Sequence, residues 1–460
     1  MPDILLTADV VLTMDSENRV ITKGAVLVRG DKIAAVGTAA DLAIKAPQAK
    51  RTDLGTAVLM PGLINTHCHS GFLRGTAEGL PLWDWLRLYI DPMHRVLLPA
   101  DAEAASWLCY SECLLAGTTT VVDMWRFMSG SARAAEQLGI RVVMVPYVGE
   151  AKGFDYFDTL DQNEQLIRDW HGAAGGRVNV WVGVEHQLYF TPDSCRRAAD
   201  LCDRYGVGLH THTNESQAEI GEIGKRHGLL PVQALEKLGL LDPEHVLLAH
   251  CVWLDPAEIK LIQKYRAGVA HNPTSNMKLA SGAAPVETLI DAGIAVGIGT
   301  DGEKENNNLD LLEEMKIMSL LAKFHAMRAD ALNSWQVLRS ATIEGARAIG
   351  MADRIGSLEP GKQADLIAIR GDTAHMTPFV TDGPFFNIHH NIVHAVQGSD
   401  VILTMIDGVI VARGGIWLEG VFCSPATWRN TLVSLKRCSR TWSAEELLGS
   451  MRIPRVRIGL

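Results

Sequence analysis

The sequence predicts a (β/α)8 TIM barrel with a small β-sandwich domain formed from both chain ends, and three patterns carry that prediction. Between residues 58 and 298, eight short apolar runs alternate with helical stretches. Most of these runs are almost continuously apolar, as parallel strands covered on both faces are. Paired apolar runs around turn residues occur near the start of the chain and return near its end. At 460 residues the chain could hold three average domains, but a barrel inside a split accessory domain accounts for the same length with one main core.

Taken in order, the opening residues read as short strands. Residues 4–13 are apolar with little period, and 24–29 and 32–36 alternate around the turn pair Gly30-Asp31. These strands are too few to bury a core alone. The barrel runs follow at 58–64, 118–124, 141–145, 178–184, 207–212, 245–250, 268–271 and 294–298, with helices between most of them, for example over 192–205 and 255–265. No Gly-x-Gly-x-x-Gly follows the first run, which argues against an open doubly wound sheet. The runs 364–369, 401–406 and 409–412 resume the hairpin pattern, the last two joined by Asp407-Gly408. The expected organisation is β-sandwich over 1–56, barrel over 57–355, β-sandwich again over 356–420, and a tail over 421–460. That tail holds seven basic and two acidic residues and differs in character from the rest.

Composition narrows the function classes. Hydrophobic residues make up 47% and charged residues 21%, which excludes disorder as the main state. The net charge of −10 makes nucleic acid an unlikely partner. Eight cysteines do not form a disulfide scaffold and read as reduced thiols. The first residues lack a basic segment ahead of an apolar one, and no apolar run reaches about 18 residues. A cytoplasmic protein without a membrane span is therefore expected.

Polar residues sit where the apolar runs end, and in a barrel those ends surround one site. His67 and His69 are two apart on a strand, so both imidazoles face one ion while Cys68 faces away. His212 offers a third nitrogen and Asp301 an oxygen. Three imidazoles and a carboxylate suit a divalent metal that activates water at neutral pH. His210 shares the face of His212 one layer deeper and reads as a packed core histidine rather than a ligand. Glu215, three residues past His212, suits a general acid or base, or else a glutamate at a helix start. His250 either bonds to the reacting groups or is structural, and His271 reads as structural or cavity-lining.

Several stretches then carry a resemblance: Pro-Gly-Leu-Ile-Asn-Thr-His-Cys-His over 61–69, His-Thr-Asn-Glu over 212–215, Leu-Ala-His over 248–250, His-Asn-Pro-Thr-Ser-Asn over 271–276 and Gly-Thr-Asp-Gly over 299–302. Together with the Gly-Ser-Leu-Glu-Pro-Gly-Lys-Gln-Ala-Asp-Leu stretch over 356–366, they resemble the amidohydrolase superfamily. The similarity is to its branch of cytosine- and guanine-type deaminases, adenosylhomocysteine/methylthioadenosine deaminases and triazine hydrolases. The resemblance spans about residues 1–415. It implies one zinc or iron ion on His67, His69, His212 and Asp301, with Glu215 as general acid and His250 as a catalytic histidine. A two-metal version needs a carboxylated lysine near the fourth strand. Between residues 100 and 210 the only lysine is Lys152, beyond the third run. A homo-oligomer is also implied. The implied reaction is attack of a metal-activated water on the amino-bearing carbon of a nitrogen heterocycle. In it Glu215 protonates the ring, and Asp301 passes a proton to the leaving ammonia.

The substrate is less legible. The stretches Leu73-Arg74-Gly75 and Trp83-Asp84-Trp85 resemble the family's lid segment. Adenosylhomocysteine-type members follow it with a ribose-holding glutamate, where this chain has His94. That departure favours a free purine, pyrimidine, pterin or triazine over a nucleoside. Trp83, His94, Arg126, His186 and Asn306 are the candidate substrate contacts, with Trp85, Trp125 and Phe127 as further stacking platforms. Two alternatives stay open: a triazine-type chlorohydrolase or N-dealkylating hydrolase, and an adenosylhomocysteine/methylthioadenosine-type nucleoside deaminase. A non-catalytic metal scaffold leaves Glu215 unexplained.

Overall fold

The computed structural model describes residues 2–417 apart from 72, 76, 77, 155 and 415. The basic tail expected over 421–460 lies outside the described residues. Two sheets organise the rest. One is entirely parallel and runs, in space, from Val182–His186 through Leu209–Thr213, Val246–His250, Gly268–His271, Val296–Ile298, Leu63–Cys68, Thr118–Trp125 and Arg141–Pro146 to Val178–Val180. Its two edge segments are consecutive in the chain, separated only by Trp181, so together they fill one strand position between Arg141–Pro146 and Leu209–Thr213. The sheet therefore curls into a barrel of eight strand positions, and every residue of these strands is buried. Burial on both faces is why the runs carry little two-residue period.

The second sheet uses both chain ends. Ile4–Leu12 pairs with Val20–Arg29 on one side and forks on the other, with Lys50–Asp53 along its first half and Ala57–Pro61 along its second. Ala57–Pro61 pairs antiparallel with Leu366–Arg370, which leads to Val401–Ile406 and Val409–Arg413. Leu6, Val26, Leu59, Leu366 and Leu403 pack into its core. Asp407 and Gly408 both take positive φ, 48° and 74°, as a tight hairpin with the right-handed strand twist requires.

The apolar run 58–64 does not form one barrel strand. Its first half belongs to the second sheet, and the barrel begins at Leu63. The change of sheet occurs at Gly62, whose amide donates to the Asp365 carbonyl at 3.1 Å. A Cβ there would lie 2.1 Å from Thr119 Oγ1, so the close passage needs glycine. Both halves are buried, and hydrophobic pattern alone does not register the transfer.

The helices between strands begin where local chemistry marks them. Pro192–Tyr205 has Thr191 as its N-cap, accepting from Ser194, and ends at Gly206 with φ +62°. Pro256–Tyr265 starts at Asp255 in the same manner. The barrel is fastened to the second sheet by Arg141, which is fully buried and ion-pairs with Asp365 at 2.9 Å and Asp407 at 2.7 Å. Among the described residues no helix is long and apolar enough to cross a membrane.

Candidate active site

The strand ends converge as a parallel barrel demands. His67 and His69 close the first strand, His212 the fifth and His250 the sixth, and Asp301 follows the eighth. His67 Nε2 and His69 Nε2 lie 3.4 and 3.3 Å from Asp301 Oδ1, and His212 Nε2 lies 3.2 Å from His69 Nε2. The donor atoms of His67, His69 and His212 fall within 4.8 Å of one another, as do those of His67, His250 and Asp301. Cys68 faces the other way, its Sγ 3.5 Å from that of Cys109.

Each of the three histidines has its Nδ1 committed elsewhere: His69 to the Met124 carbonyl at 2.7 Å, His212 to the Glu185 carbonyl at 2.7 Å, and His67 to His210 Nε2 at 2.8 Å. Protons on Nδ1 leave the Nε2 lone pairs free, those of His67 and His69 facing Asp301, the arrangement that metal-binding imidazoles use. Burial lowers the pKa of all three, keeping them neutral. His67 Nε2 is buried with no hydrogen-bond partner. This donor set fits a divalent metal ion.

Glu215 and His250 stand beside it. Glu215 Oε2 lies 3.7 Å from His250 Nε2, which lies 3.9 Å from Asp301 Oδ2. His250 Nδ1 donates to Asn276 Oδ1 at 2.9 Å, turning Nε2 toward the two carboxylates. Burial pushes the Glu215 carboxyl up to about 6, against the pull of His250. Burial lowers the His250 imidazole, but Glu215 and Asp301 outweigh it and raise its pKa. Asn214, His250 and Asp301 all take positive φ, a backbone cost concentrated around the site. The first of these bends is held by Glu219, whose carboxylate accepts the backbone N–H groups of Asn214 and Glu215, each at 2.8 Å. The signal for Glu219 was present as Ser216-x-x-Glu219, a helix-start pattern whose glutamate here reaches beyond the N-cap.

The amidohydrolase family model matches residues 58–411, more than half of the chain. The chain belongs to the amidohydrolase family. An imidazolonepropionase-like composite domain model also matches residues 24–49. The chain is 40% identical over 414 residues to 5-methylthioadenosine/S-adenosylhomocysteine deaminase of Syntrophomonas wolfei, covering 89% of this chain and 93% of that one. It is 36% identical over 421 residues to 5'-deoxyadenosine deaminase of Methanosarcina mazei, covering 90% and 93%. A zinc-bound adenosine deaminase from Xanthomonas campestris superposes with a TM-score of 0.86 at 29% identity, covering 95% of this chain and 99% of that one. The protein is an amidohydrolase-type deaminase, and the donor set described above could hold a divalent metal ion.

In this amidohydrolase, a cavity opens over His69, His212 and Asp301. Trp83 and His186 line it, with Trp85, Tyr147, Glu185, Tyr189 and Glu305. Three other residues expected to contact substrate do not. His94 stacks on Tyr147, centroids 4.6 Å apart, behind the wall. Arg126 donates to the His94 carbonyl at 2.6 Å and lies 3.5 Å from Asp158, so its charge is used inside the protein. Asn306 donates to the Thr300 carbonyl and to Glu314, both at 2.8 Å. Nor does Trp125 form a platform: it is wholly buried and its indole N–H donates to the Ala102 carbonyl. His271 is buried at the seventh strand end, outside the cavity lining. Glu185 and Glu305 also line the cavity, although the sequence singled out neither as a candidate contact and only Glu185 obeys the strand-end rule.

Proposed function

We propose that this chain hydrolytically deaminates a 6-aminopurine presented as a nucleoside, exchanging C–NH2 for C=O with release of ammonia. The observation that carries the reading is Glu215 beside His250 and Asp301 at the mouth of a donor set of three imidazoles and a carboxylate. His67, His69, His212 and Asp301 would hold zinc, as the zinc-bound relative supports. Such an ion supplies Lewis acidity and lowers the pKa of a bound water to about 7. Glu215, whose carboxyl burial raises to about 6, is placed to carry a proton to a ring nitrogen, relieving the charge that builds there during attack. Asp301 Oδ2, fixed by a hydrogen bond from Ser275 Oγ at 2.7 Å, takes the proton of the attacking water and returns it to the leaving amine. His250 orients that water through Nε2.

The expectation that favours a free heterocycle rests on His94 standing where adenosylhomocysteine-type members have a ribose-holding glutamate. His94 stacks on Tyr147 outside the cavity lining, and the nucleoside deaminases among the relatives outweigh the missing glutamate in favouring a nucleoside. A reducing, cytoplasmic setting is supported by six free, buried cysteines among the described residues. A homo-oligomer is supported by Leu320, Phe324 and Met327, exposed apolar side chains along one helix and its C-cap. The test is ammonia release from adenosine, 5'-deoxyadenosine and adenine by wild type and Glu215→Gln. Wild-type turnover with a loss of about 10²–10⁴-fold in the variant, metal content unchanged, supports the reading. Equal turnover by the two proteins removes Glu215 from it.

A further inference from the structure

Two carboxylates line the cavity without a part in the chemistry or in the backbone bend described above. Glu185 is 6% exposed; its backbone carbonyl anchors His212, while its Oε2 is buried with no hydrogen-bond partner among the described residues. Glu305 is 3% exposed; its Oε1 pairs with Lys304 at 3.0 Å, and its Oε2 is likewise buried and unpartnered. That oxygen fits only because residue 302 is glycine, since a Cβ there would lie 2.3 Å from it. A buried acceptor without a donor is costly, and two in one wall are a cost that a ligand's donors would offset. The described lining residues include no lysine or arginine, and the nearby Lys304 is matched by Glu305. Trp83 and Trp85 offer the cavity indole N–H groups without a hydrogen-bond partner among the described residues, while the Glu185 and Glu305 oxygens are acceptors for hydroxyl and amino groups.

We propose that Glu185 and Glu305 determine specificity: each accepts a hydrogen bond from an O–H or N–H donor on the part of the substrate remote from the departing amine. The substrate class is then a heterocycle that carries such donors. This rests on the deaminase reading above. The donors are either sugar hydroxyls or a second ring amine, and the assay separates them.

The experiment measures ammonia release by the metal-loaded full chain, wild type, Glu185→Gln and Glu305→Gln. One substrate set is adenosine against its 2'- and 3'-deoxy analogues; the other is 2,6-diaminopurine against adenine. The expected result is a loss of about 10–100-fold in kcat/KM on the donor-bearing member of one set, the effect of one charge-assisted hydrogen bond, and a markedly smaller loss on its donor-less partner. The set that responds identifies the donor. Equal losses throughout both sets overturn the proposal. Should Glu305→Gln fail to fold, having left Lys304 without its counter-charge, Glu185→Gln decides alone. If wild type releases no ammonia from any member, the deaminase reading fails by itself. Binding of the same pairs, followed by intrinsic tryptophan fluorescence, then reads the specificity: discrimination weakened in the variants supports it, and unchanged discrimination overturns it.

Discussion

His67 Nδ1 lies 2.8 Å from His210 Nε2, and His210 Nδ1 lies 2.8 Å from the Leu247 carbonyl. A carbonyl only accepts, so His210 carries its proton on Nδ1 and accepts from His67 through Nε2. His67 is thereby held in the tautomer that bares its own Nε2 toward Asp301. One backbone carbonyl on the sixth strand fixes the protonation pattern of two rings from the first and fifth.

Replacing His210 with phenylalanine removes that acceptor while keeping bulk. Metal affinity is expected to fall by about 10–100-fold, as losses of such supporting hydrogen bonds do. Competition with a chelator of known affinity measures it. Unchanged affinity would reduce His210 to packing.

Chelation is expected to abolish ammonia release, and zinc to restore it. The three buried imidazoles and Asp301 lose their common partner when the ion leaves, so the apo chain should also melt at a lower temperature. An ion at about a hundred times its Kd stabilises the fold by roughly 2.7 kcal/mol. Identical melting with and without zinc would place the metal elsewhere.

Glu314 gives a pH signature in stability. It is fully buried, and that burial pushes its carboxyl up to about 8 from an ordinary 4.5. The folded chain keeps the proton that the unfolded chain releases. Glu314 therefore imposes no penalty below about 4.5 and an increasing one up to about 8, where it levels off. Glu314→Gln mimics the protonated group and can still accept from Asn306. Urea unfolding at pH 5 and pH 8 should show the variant gaining on wild type at the higher pH. A constant difference between them contradicts the assignment.

Arg141 is the single cation between Asp365 and Asp407, the latter also 3.4 Å from Arg177. Arg141→Met leaves the buried Asp365 carboxylate uncompensated, and the expected cost is about 3–5 kcal/mol by equilibrium denaturation. Restoring a similar stability with the further change Asp365→Asn would attribute the cost to charge rather than to packing.

Much of the site was legible in the sequence because strand order in a parallel barrel turns sequence position into spatial position. Polar residues closing apolar runs share one edge, and so His67, His69, His212, His250 and Asp301 could be brought together from spacing alone. The residues that did not follow depend on partners that strand position does not specify. His94 sits on a short helix and Arg126 immediately past a strand, and their directions were decided by Tyr147 and Asp158, far off in sequence.

What the sequence by itself determined is the barrel, its hairpin-edged companion sheet and the family, since hydrophobic period, turn pairs and strand-end motifs are local records of burial and backbone geometry. Only the tertiary structure decided that the run 58–64 changes sheets at Gly62, that His210 sets the tautomer of His67, and that Glu185 and Glu305 present unpartnered oxygens at the cavity wall. Each of these depends on which distant group stands within about 3 Å of a given atom, and contact at that range is fixed by packing across the barrel rather than by neighbours along the chain.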